Sequence, residues 1–79
     1  SRYWIAQRPG RYEIEFSTKV PAGVDIVLDR DEIVYKGEIH GKYCHAVRLE
    51  VGQVIEPRII SINPAVLENV TQIRIMSSE

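Results

Sequence analysis

The chain is short of most features that announce a chemistry. Its 79 residues hold one cysteine, Cys44, which excludes an internal disulfide framework. A solitary thiol fits a reducing compartment as well as a short disulfide-free module outside the cell. No sign of charge is in excess: ten Lys and Arg stand against eleven Asp and Glu, a net charge of -1. The sequence therefore lacks the usual electrostatic footprint of a protein that grips nucleic acid through its phosphates. No apolar run approaches the roughly 18 residues of a membrane-spanning helix. Gly-rich phosphate loops and a serine nucleophile elbow are also missing.

What is present is a period of two. Tyr12, Ile14 and Phe16 alternate with Arg11, Glu13, Glu15 and Ser17, the pattern of a strand with one dry and one wet face. Val24, Ile26 and Leu28 repeat it against Asp25 and Asp29. Tyr43, His45, Val47, Leu49 and Val51 alternate with Cys44, Ala46, Arg48 and Glu50, and Ile73 and Ile75 with Gln72 and Arg74. Turn-forming residues separate the apolar runs at Arg8-Pro9-Gly10, Val20-Pro21-Ala22-Gly23, Asp29-Arg30-Asp31, Gly41-Lys42 and Gly52-Gln53. This spacing predicts about seven strands: Tyr3–Ala6, Arg11–Thr18, Val24–Leu28, Ile33–Ile39, Cys44–Val51, Val54–Ile62 and Val70–Met76. The expected fold is all-β, a small antiparallel β-sandwich with one short helical turn at Asn63–Leu67, where Asn63 caps and Pro64 starts the turn. In that reading Pro9–Asp29 is a hairpin, and Gly37 marks a bulge or a close backbone approach. Residues 1–79 are expected to form a single domain, and a start at Ser1 is compatible with excision from a longer protein.

The candidate chemical sites are weak. Asp25, Asp29, Asp31 and Glu32 gather carboxylates, but a calcium loop wants a bend-permitting Gly, and Arg30 sits in the middle instead. A solvated hairpin tip is the plainer reading. His40, Cys44 and His45 are zinc-ligand types, yet a structural site needs four ligands, and neighbours on a strand point apart. The same divergence argues against a Cys–His nucleophile pair. No catalytic, metal or cofactor site is expected, and the domain is not expected to be an enzyme. Surface charges at Glu13 and Glu15 could pair across strands with the Arg48/Glu50 row, for fractions of a kcal/mol each.

Aromatic residues remain: Tyr3, Trp4, Tyr12, Phe16, Tyr35 and Tyr43. Tyr3 and Trp4 are strand neighbours, so one of them lies outside. Exposed aromatic faces stack on sugars and on protein partners. With a nearby Arg, they nominate Trp4, Tyr35, Tyr43 and Arg48 as the ligand-binding residues.

Two family resemblances bear on this. The rhythm from Pro9-Gly10-Arg11-Tyr12-Glu13-Ile14-Glu15-Phe16 through Val24–Asp29 and Val47–Gly52 to Val70–Ile75 resembles carbohydrate-binding-module-like, galactose-binding-like β-sandwiches. It implies a non-catalytic binding or structural module whose partner is a protein or a carbohydrate. Alternatively, Val24–Leu28 followed by Tyr35-Lys36-Gly37-Glu38-Ile39-His40-Gly41 and Val47–Glu50 looks like the first motif of Sm-like proteins. That resemblance implies a small barrel binding RNA as an oligomeric ring. The sequence departs from it where Lys42, Tyr43, Cys44 and His45 replace the expected Asp and Asn.

Overall fold

The computed structural model describes residues 3–60 and 70–77. These residues form five strands and no helix: β1 (Trp4–Ile5), β2 (Gly10–Leu28), β3 (Glu32–Leu49), β4 (Val54–Ile59) and β5 (Val70–Ser77). All pairings are antiparallel. β2 is central. β3 lies along one of its edges, while the other edge carries β5 on its first half and β4 on its second. β1 pairs with β4.

The all-β antiparallel expectation holds, but the seven-strand sandwich is corrected to five strands in one continuous sheet. Arg11–Thr18 and Val24–Leu28 are not the two arms of a hairpin; they are one 19-residue strand. Ile33–Ile39 and Cys44–Val51 likewise merge into β3, which ends at Leu49 and leaves Val51 exposed in the following turn. The helical turn expected at Asn63–Leu67 falls outside the described residues.

A corner replaces the expected turn. Thr18 pairs with Gly41 and Ala22 with Ile39, so Lys19, Val20 and Pro21 stand opposite His40 alone. Pro21 suits this unpaired bulge because it has no amide hydrogen for the ladder. On β3, Gly41 takes φ of 92° and donates its N–H to Thr18 Oγ1 at 3.3 Å, which satisfies a buried hydroxyl. The surplus of two residues on β2 keeps the alternation in phase. Tyr12, Ile14 and Phe16 before the corner and Ala22, Val24 and Ile26 after it are therefore all buried.

The corner also sets the shape. Nineteen extended residues reach about 60 Å, whereas the longest dimension is 35 Å. The sheet curls until its two halves share one core, with Ile14 and Phe16 packed in the same cluster as Val24, Ile26, Ile39, Leu49 and Ile55.

The ends of the curl are tied by turns. Asp29 and Arg30 have φ of 50° and 75°, as a type I′ connection requires, and Asp31 N–H returns to Leu28 C=O. The Asp29 carboxylate accepts from the Val54 N–H and from Gln53 Nε2, each at 3.0 Å, clamping this turn to the start of β4. The Val54 bond, then the Gln53 bond, hold its pKa below the ordinary value of 3.8. A depressed acid stabilises the fold above its unfolded pKa, and that contribution disappears as pH falls through the folded value. Asp29→Asn should therefore lower the urea midpoint at pH 6, and the gap to the parent protein should close toward pH 3. A gap independent of pH would show that the charge is not what the clamp uses.

A second tether lies at the other end. The buried Tyr12 ring sends its hydroxyl to the Arg8 carbonyl, holding the connection between β1 and β2. Tyr12→Phe leaves that carbonyl without its partner and should cost about 1 kcal/mol in urea unfolding. An unchanged midpoint would mean that the tether adds nothing.

Candidate functional site

The curl leaves a seam. β5 and the β4–β1 pair attach to the same edge of β2, on opposite sides of the corner, and so come to face each other. Between them lies a cavity of about 250 Å³ lined by Tyr3, Trp4, Pro57, Ile73 and Ile75. Each lining residue has a local reason to be there. Ile73 and Ile75 are the inward positions of β5, opposite Phe16 and Ile14. Trp4 is fixed by its pairing with Ile55 and by an edge-to-face contact with Tyr12, with ring centroids 5.0 Å apart. Pro57 follows the short stretch of β4 that pairs with β1. Tyr3 is exposed beside the mouth, with the Arg30 guanidinium 5.3 Å from its ring centre.

A second aromatic group lies on β3. Tyr35 and Tyr43 stack with centroids 5.0 Å apart and planes 22° from parallel, and His45 lies 5.0 Å from Tyr35. The Tyr43 hydroxyl is 3.3 Å from His45 Nδ1. Desolvation, then the Tyr35 hydroxyl, push the Tyr43 phenol above its ordinary pKa, so it stays a neutral hydrogen-bonding group. Gly37 allows the arrangement: a Cβ there would sit 2.5 Å from the Tyr35 hydroxyl oxygen.

The four nominated residues thus fall in three places. Tyr35 and Tyr43 come together, but each covers a face of the other. Trp4 is across the molecule in the seam, with Tyr3 as the more exposed of that pair. Arg48 is exposed opposite Arg11, on the face that carries Glu13 and Glu15. Glu13 and Glu15 stand directly opposite Ala46 and Cys44 on β3, and they form ion pairs with Arg11 at 3.8 Å and Arg74 at 3.6 Å. Pro57, Ile73 and Ile75 were not nominated. For the two isoleucines the period-two pattern marked an inward face but could not distinguish core from cavity wall.

The side chains weighed for metal or nucleophilic chemistry do not converge. Cys44 and His40 are on the convex face and His45 on the concave one. Cys44 Sγ lies 3.7 Å from Glu15 Oε2. Partial desolvation, then that carboxylate, raise the thiol pKa, which favours the unreactive thiol over the thiolate. Asp25 is buried and lies 3.8 Å from Lys36, while Glu56 bonds Arg58 at 2.9 Å. These are cross-strand and same-strand ion pairs on the convex side of the sheet.

Comparison with protein-family models, with curated proteins and with solved structures yields no match for this chain.

Proposed function

We propose that the domain is a non-catalytic interaction module that takes an apolar side chain of a protein partner into the seam cavity. The observation that carries this is the cavity's lining, which joins the aromatic Trp4 and Tyr3 to the apolar Ile73, Ile75 and Pro57. At about 250 Å³ it falls just under the usual range for small-molecule pockets, roughly 300–1,000 Å³. One or two hydrocarbon side chains fill such a space, and burying a Leu- or Phe-sized anchor contributes about 1.5–3 kcal/mol. A carbohydrate is the weaker fit. Its hydroxyls need several hydrogen-bonding groups, and among the described residues the lining side chains offer the Tyr3 hydroxyl and the Trp4 indole N–H.

A displayed peptide library selected on the domain tests the proposal. It should enrich sequences with an apolar anchor, Leu, Ile or Phe, at one position. Ile75→Trp fills the cavity from its wall and should weaken the selected peptides about tenfold or more. Peptides that bind the filled variant equally well would sink the reading. Quenching of Trp4 fluorescence by a glycan panel, with no peptide selected, would favour the carbohydrate alternative. Retention of RNA by a ring-sized oligomer would favour the Sm-like one.

A further inference from the structure

β3 is an outer strand. Among the described residues it pairs with β2 alone along Glu32–Leu49, and its other side presents main-chain N–H and C=O groups. Open edges are usually blunted by charged side chains, Pro, bulges or a covering element. On the convex face, the exposed side chains of β3 run Lys36, Glu38, His40, Lys42, Cys44, charges of both signs that can match a partner as well as repel one. Around His40 the signs invert, with Glu38 on one side and Lys42 at the same distance on the other.

We propose that β3 pairs antiparallel with β3 of a second copy of this chain, about a two-fold axis through His40, to give a dimer with one sheet running through both. The axis sets Glu38 opposite Lys42 of the second copy, and by symmetry the pair occurs twice. Opposite charges directly across an antiparallel ladder are stabilising, and like charges are not. Lys36 comes opposite Cys44 of the second copy, whose Sγ lies 3.7 Å from a Glu15 carboxylate. Glu15 is already met by Arg74 at 3.6 Å and Glu13 by Arg11 at 3.8 Å, so the charge matching of the dimer rests on the two Glu38–Lys42 pairs.

Other centres fit less well. An axis at Ile39 sets Lys36 against Lys42, and axes at Glu38 or Lys42 set each charge against its own copy. An axis at Gly37 joins Lys36 to Glu38, but the register shift facing Val34 ends that ladder early. About His40 the span from Tyr35 to His45 has no extra residue on β3, since the surplus at the corner lies on β2, and Gly41 at φ of 92° turns the strand within it. The corner of each copy also lies on the axis, so a two-fold normal to the sheet lets both copies curve the same way. The seam cavity sits beyond the far edge of β2 and is untouched, so dimer and cavity stand or fall separately.

Sedimentation velocity over a dilution series tests the dimer, with circular dichroism to verify folding of each variant. The parent chain should associate to a dimer. Lys42→Glu should weaken the dimer about tenfold or more, because like charges then meet twice. Glu38→Lys combined with Lys42→Glu should restore it. In a Cys44→Ser background, His40→Cys should form an intermolecular disulfide on mild oxidation, since directly opposed Cβ atoms lie about 4.5–5.5 Å apart. Lys36→Cys in that background should not. A monomer up to millimolar concentration with no His40→Cys crosslink would overturn the proposal. So would a dimer indifferent to charge reversal, or an oligomer larger than two.

Discussion

Phe16→Ala is expected to remove about 3–5 kcal/mol of stability, the cost of deleting a buried aromatic ring that its surroundings cannot replace. A domain of this length has about 4–12 kcal/mol in all, so the variant should be largely unfolded under conditions where the parent is intact. Phe16 is completely buried and is the largest of the fully buried side chains. It sits on β2 just before the corner, opposite Tyr43 on β3 and Ile73 on β5. Its ring therefore supports both flanking strands and the opposing half of the curl together. Urea unfolding followed by Trp4 fluorescence measures the loss. Lys19→Ala, an exposed change at the corner itself, should stay within about 0.5 kcal/mol of the parent. A loss below about 1 kcal/mol for Phe16→Ala would mean that the halves do not close over this ring.

The second large effect belongs to the corner. Gly41 has φ of 92°, and a Cβ built on it meets nothing within 4 Å. Gly41→Val should thus cost about 1–3 kcal/mol from backbone strain alone, because a β-branched residue is badly placed at positive φ. For a domain of this size that corresponds to a drop in Tm of roughly 5–20 °C. Cys44→Val, an exposed position on ordinary strand backbone three residues further on, should leave Tm near the parent value. Equal effects of the two substitutions would remove the corner's claim to a special conformation. The contrast with Gly37 is instructive. There the neighbouring Tyr35 ring, rather than backbone conformation, demands the missing side chain.

The inward faces were legible in the sequence because alternation depends only on local geometry. Tyr12, Ile14, Phe16, Val24 and Ile26 are all buried, and the Asp29–Asp31 segment turns the chain as its composition suggests. Gly37, read as a bulge or a close backbone approach, is paired without a register shift and is approached by the Tyr35 side chain rather than by backbone. The strand count was less legible. Val20-Pro21-Ala22-Gly23 has the composition of a reversing turn, and a corner in a continuous strand calls on the same residues: a Pro that needs no partner and small residues beside it. Only the pairing with β3, which is not local, decides between the two.

The sites were harder still. Tyr35 and Tyr43 would lie about 26 Å apart on a flat strand, and the corner brings their ring centres to 5.0 Å. The seam draws its walls from β1, β4 and β5. Alternation predicts that each of these residues points inward. It does not predict that the curl stops short of closing and leaves a cavity between them. Arg48 is nominated as an Arg near the exposed aromatics, and the alternation along β3 keeps it on the face opposite Tyr43.

The central position of β2 has a kinetic consequence. Its partners come from almost the whole chain: Gly10 meets Leu49, and Tyr12 meets Ser77. The β2–β3 hairpin can form early, since its turn joins neighbouring strands. The β2–β5 ladder must close a loop of most of the molecule before it returns any stabilisation, and such non-local pairing sets folding in the millisecond-to-second range. Until β5 arrives, Ile14 and Phe16 are bare on one side. The last step of folding is therefore also the step that builds the wall of the cavity, so the binding surface and the completed core should appear at the same rate.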